Sequence, residues 1–201
     1  NAVLNARSLF IVYKDTSTAS WVTPLGSTLA GVMHGHSDAT QIFNATYTAG
    51  PTQSGASFAN GTALAGTPPL AARPSAGYKI FSHLFSSNYG GFGNWTLGMD
   101  QCCAPRYISG GIAELMVFSN AINAAQRTII ENYLNAKYND GTAGTPSLAT
   151  TIYTYGGTGA YKYEMAGIGQ ATGGSNHLNA KGSLFSMTNP TGMIDNEYVM
   201  W

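Results

Sequence analysis

Few residues in this chain have types and spacing suited to chemistry. His34-Gly35-His36 places two imidazoles on the same side of an extended segment, with Asp38 as a third donor, a set that suits a transition metal. A plain pair of surface or hydrogen-bonded histidines fits the same residues. Cys102-Cys103 are neighbours in sequence: they can close a vicinal disulfide in an oxidising compartment, ligate a metal, or remain idle thiols. Calcium needs many oxygens, several of them carboxylates, and the aspartates Asp15, Asp38, Asp100 and Asp140 are scattered. Asp38 and Asp100 could each join backbone and Asn oxygens in a single calcium site, or serve as turn formers. Two carboxyls doing acid and nucleophile work must stand close together. Glu114 has no acidic neighbour on its strand and reads as a carboxylate held by a residue such as Arg106, while Asp195 and Glu197 lie two apart beside a turn at Gly192. There is no G-x-S-x-G elbow, and Tyr155-Gly156-Gly157-Thr158-Gly159 lacks the lysine of a phosphate loop. Sugar recognition asks for exposed rings beside amides. Asn88, Tyr89, Phe92, Asn94 and Trp95 have that composition, and so does Trp21 among its Thr and Ser neighbours. Phe92 and Trp95 fit equally well as core residues.

Composition narrows the partners. Only 9% of the 201 residues are charged, nine basic against nine acidic, which argues against nucleic acid and against an electrostatic membrane contact. The surface must instead be built from Ser, Thr, Asn, Gly and Tyr, with little charge to keep copies apart. No apolar run is long enough to cross a bilayer as a helix. The chain opens on Asn1, without an initiator Met, and closes on Tyr198-Val199-Met200-Trp201, so it reads as a piece of a longer polypeptide.

The elements that would position these residues are mostly strands. Alternation predicts strands at 9–13, 20–23, 41–47, 79–85 and 95–99, with a long Gly/Ala/Ser/Thr/Pro excursion at 49–76 that holds at most one short strand near 57–59. Residues 86–93 read as a turn-rich loop. Ile112-Ala113-Glu114-Leu115-Met116-Val117-Phe118 is apolar nearly throughout, which predicts a strand covered on both faces. One helix is expected over about 123–138: Asn123 caps it, Gln126 completes a capping box, and Ile130, Tyr133, Leu134 and Tyr138 make its apolar stripe. Asn139-Asp140-Gly141 ends it, residues 139–146 read as a linker, and further strands are expected at 151–155, 161–168, 183–187 and 197–201.

The stretch Gly111, Ile112-Ala113-Glu114, Asn120 to Asn123 and Tyr133-Leu134-Asn135-Ala136-Lys137-Tyr138 resembles the closing strand and helix of a LamG-like jelly roll, in the concanavalin A-like lectin/glucanase superfamily. Leu9-Phe10-Ile11-Val12-Tyr13 and Trp95-Thr96-Leu97-Gly98 resemble earlier strands of it, and Met165-Ala166-Gly167-Ile168-Gly169 resembles the β-rich segment that follows such modules in Bacteroidetes-like secreted or cell-surface proteins. That family often carries an Asp after its Gly-Ile-Gly step, where this chain has Gln170-Ala171. The resemblance implies an all-β, two-sheet antiparallel jelly-roll sandwich over 1–138, lacking its first strand or strands and closed by its helix, then the linker and a β-rich segment over 147–201. It implies an extracellular or cell-surface, non-catalytic adhesion or architectural module without a cofactor, calcium apart. Its partners would be neighbouring domains or copies of the chain. The alternative is a carbohydrate-binding module, and a polysaccharide hydrolase stands further off.

Overall fold

The computed structural model describes residues 5–26, 41–43, 52, 54–89, 96–99, 106–153 and 164–201. Among the described residues the strands pair antiparallel, with a short helix beside them, so the fold is all-β as expected. The chain divides into two compact units, Asn1–Ala121 and Ile122–Trp201. The division falls ahead of the helix rather than at 139–146. The helix belongs to the second of these units, with the strands that follow it.

The first unit is built on β1 (Ala6–Asp15), which lies between β5 (Lys79–Tyr89) and β7 (Gly110–Phe118). Beyond β5 come β3 (Ala56–Ala59) and β4 (Thr62–Ala63), giving the sheet order β4-β3-β5-β1-β7. Leu9, Phe10, Ile11, Val12 and Tyr13 are hidden completely, so both faces of β1 are covered. Each such side chain contributes about 2 kcal/mol of transfer free energy. Leu9, Ile11 and Tyr13 join Leu25, Ile42, Phe43, Phe81, Phe85 and Tyr89 in one core. Phe10 meets Phe118 edge-on, with centroids 5.8 Å apart.

Sequence and structure differ at three places in this unit. β7, expected to be doubly covered, ends the sheet order among the described strands, and its residues are half-buried or exposed. The central place belongs to β1. Residues 86–89, expected as loop, continue β5: the register shifts between Ser8 and Ala6 with the extra residues on β5, and Ala6 comes to lie opposite Tyr89. Residues 20–23 form no strand; the pairing starts one step later, where β2 (Leu25–Gly26) meets β6 (Thr96–Leu97). Asn60-Gly61 closes the β3–β4 hairpin with positive φ at both positions, 47° and 79°, as a two-residue turn of this hand requires.

In the second unit the helix, α1 (Ala124–Tyr138), packs on β8 (Gly167–Gln170) and β9 (Asn176–His177). The expected cap is present: Asn123 Oδ1 accepts from Gln126 N at 2.9 Å, and Gln126 Oε1 accepts from Asn123 N at 3.0 Å. The buried face differs from the expected stripe. It holds Ala125, Ile129, Leu134 and Ala136 together with Glu131, Asn132 and Asn135, while Ile130, Tyr133 and Tyr138 are half-buried. Gly167 permits the close approach, since a Cβ there would stand 3.2 Å from Ile129 Cγ2 and 2.9 Å from Met200 Cγ. β8 is the middle strand between β9 and β12 (Glu197–Met200), and β10 (Asn179–Lys181) pairs with β11 (Ser186–Thr188).

Candidate binding surface

Trp21 is the sequence-predicted ring that the structure places most distinctively. The loop leading to it is tied down from both ends. Asp15, buried at the end of β1, accepts from Ser17 N (2.9 Å) and Ser109 N (3.1 Å). Arg73 Nη1 lies 3.8 Å from Asp15 Oδ2 and donates to Ser17 Oγ (2.9 Å) and Ala19 O (2.7 Å). Arg73 belongs to the stretch read as a surface excursion, yet its guanidinium is buried here. Tyr13 stands in the same pocket; burial first, and the Asp15 charge second, push its phenol well above the usual range. The loop so fixed delivers Trp21 at φ 64°, a left-handed conformation that is costly for a bulky residue. The Arg106 guanidinium lies over its ring, 5.9 Å from the centroid. Leu97 (56% exposed), Met99 and Tyr107 (50%) face water on a small ladder made by β2, β6 and the Met99–Tyr107 bridge.

The predicted aromatic loop is not reproduced by its described members. Tyr89 is only 4% exposed and leans on Phe85 with centroids 5.4 Å apart; it is a core residue, so its ring is not available to stack on a sugar. Asn88, next to it on β5, is exposed, because successive strand residues point to opposite faces. Phe92, Asn94, Trp95, His34, His36, Asp38, Asp100, Cys102 and Cys103 lie outside the described residues. Among the described residues no cluster of His, Cys, Asp or Glu is arranged to hold a metal.

The second unit contains a polar arrangement that the sequence reading missed. Three asparagines at helical spacing take the backbone N–H groups of the segment after the helix. Asn132 Oδ1 accepts from Ile152 N (2.8 Å) and Tyr153 N (3.2 Å), and its Nδ2 donates to Thr128 O (2.9 Å). Asn135 Oδ1 accepts from Leu148 N (3.2 Å), and Asn139 Oδ1 from Gly141 N (3.1 Å) and Thr145 Oγ1 (3.3 Å). The stretch read as a linker is thus the start of a strap laid along the helix. Its signal was Asn at 132, 135 and 139, spaced three and four apart.

Asp195 and Glu197, the nearest approach to a catalytic pair in the sequence, are both occupied in turns. Asp195 accepts from Gln170 Nε2 (2.9 Å), Gly173 N (2.8 Å) and Gly174 N (3.2 Å), and these bonds, Gln170 first, hold its carboxyl below the usual carboxylate range. The Gln170 amide is the side-chain donor to this carboxylate. Glu197 Oε2 accepts from Ile194 N (3.0 Å). The same unit leaves Leu184 (95%), Ile194 (64%), Phe185 and Val199 exposed, with Phe185 edge-on to Trp201 at 5.0 Å. No helix among the described residues is long and apolar enough to cross a membrane. No family model matches this chain, and neither a curated protein nor a solved structure matches it.

Proposed function

We propose that this chain is a non-catalytic architectural or adhesive module of a secreted or cell-surface protein, its first unit a jelly-roll sandwich of the LamG-like kind. Its role is to pack against neighbouring domains or further copies of itself. The observation that carries this reading is the exposed set Leu184, Phe185, Ile194 and Val199 in the second unit, on a chain whose net charge is zero. Large apolar side chains left in water are available for contact with a partner, and low charge removes the repulsion that would keep copies apart. The carbohydrate-binding alternative loses a ring with Tyr89, leaving Trp21 and Asn88 among the described candidates. Sedimentation of the chain over a hundredfold concentration range tests the proposal. Association that weakens at least tenfold in Leu184→Ser/Ile194→Ser supports it; a monomer at every concentration, or association indifferent to those changes, overturns it.

A further inference from the structure

We propose that the β3–β4 hairpin is an acid-released flap, latched to β5 by the buried Ser57–His83 pair. The two residues stand opposite each other in the β3–β5 register, and His83 Nδ1 lies 2.9 Å from Ser57 Oγ. Both are almost fully buried, and His83 Nε2 has no hydrogen-bond partner. Phe43 meets the imidazole edge-on, with centroids 5.4 Å apart, and Leu9 is its rung partner on β1. A neutral imidazole leaves one unsatisfied nitrogen in this setting, whichever tautomer it adopts. An imidazolium would carry a second N–H donor and a full charge into hydrocarbon, which is far more costly.

Among the described residues no neighbouring charge offsets that cost. β3 and residues 41–43 contribute no titratable side chain. β1 carries Arg7, which would only repel a second cation, and Tyr13, Lys14 and Asp15 at its far end. Lys79 on β5 is opposite Tyr13, four rungs or about 13 Å from His83. Arg73 is turned to Asp15 at that same end. Burial alone accordingly lowers the His83 pKa from 6.5 to about 3.

The sign follows from proton linkage. A detached or unfolded His83 binds a proton below its ordinary 6.5, and the folded one does not until about 3, so acid favours opening throughout that window. The flap is the element to yield. β4 is exposed along its length and β3 is largely half-buried, whereas β1 and most of β5 are buried. Release would uncover the edge of β5 and the Phe43 side of the core.

Hydrogen exchange of the full chain, corrected for the intrinsic effect of pH, reads this directly. The opening constant for amides 56–59 is expected to rise about 100-fold between pH 7.5 and 4.5, at tenfold per unit below the ordinary pKa. It should exceed the constant for amides 9–13 at each pH. In Ser57→Ala/His83→Leu the rise should fall below about threefold. No rise in the wild type, an undiminished rise in the double variant, or identical constants for both sets of amides would each overturn the proposal. Should the variant fail to fold, the ring signals of His83 in the wild type decide: a neutral imidazole still present at pH 5 supports the latch, and a midpoint near 6.5 sinks it.

Discussion

In the first unit the residues hidden from water are mainly hydrocarbon, with Leu9, Phe10, Ile11 and Val12 on the central strand and Phe81 and Phe85 beside it. In the second, the helix turns Glu131, Asn132 and Asn135 inward, and large apolar groups such as Leu184 and Ile194 are left outside. One unit is held by non-directional burial, the other by amide-to-backbone bonds whose geometry must be met bond by bond. The two should therefore fail differently. Enlarging a hole in the first weakens everything around it, whereas losing one amide in the second frees one identifiable stretch of chain.

The largest effect is expected in the first unit. Ile11→Ala, in the middle of β1, should cost about 3–4 kcal/mol, seen as an earlier melt of the whole sheet in thermal unfolding. A loss under about 1 kcal/mol would mean that the core is looser than its burial implies. Next comes Asn132→Ala, which leaves two backbone donors without their acceptor and should cost about 1–3 kcal/mol. Its signature is selective: amides 152 and 153 should exchange faster while those of β1 do not change. Global loss of protection would erase the contrast between the units. Asn123→Ala removes the helix cap and should cost about 1 kcal/mol, read by helical circular dichroism on heating, with Asn123→Gly milder. The smallest effect concerns pH. Asp195 is held below its ordinary pKa, so its turn is fully formed above about 4 and loosens only as pH falls through the lowered value. Exchange at Gly173 and Gly174 checks this, and loosening already at pH 5 would contradict it.

What was legible in the sequence was local. The capping box needs only Asn123 and Gln126, three residues apart, and it stands as read. The core strand at 9–13 was equally plain from its apolar run. What was missed depended on partners distant along the chain. Nothing within Ile112–Phe118 says whether it will be central or last in a sheet, because strand order is decided by pairings between residues about 66 to 110 apart in the chain. Ser86-Ser87-Asn88 reads as a turn by composition, but β5 runs on through it to Tyr89, which the shifted register sets opposite Ala6 and carries into the core. The inward asparagines drew no notice, since their partners at 148, 152 and 153 cannot be assigned from the helix alone. Ser57 and His83 lie 26 residues apart, and no motif joins them.

The strap along the helix has a consequence for where such a domain can work. Amide groups neither gain nor lose protons across the range that living surroundings reach, and dissolved ions screen them far less than they screen paired charges. A fastening made of Asn132, Asn135 and Asn139 should grip as firmly in brine as in dilute buffer, an indifference to the medium that a carboxylate–lysine clasp of the same reach would lack.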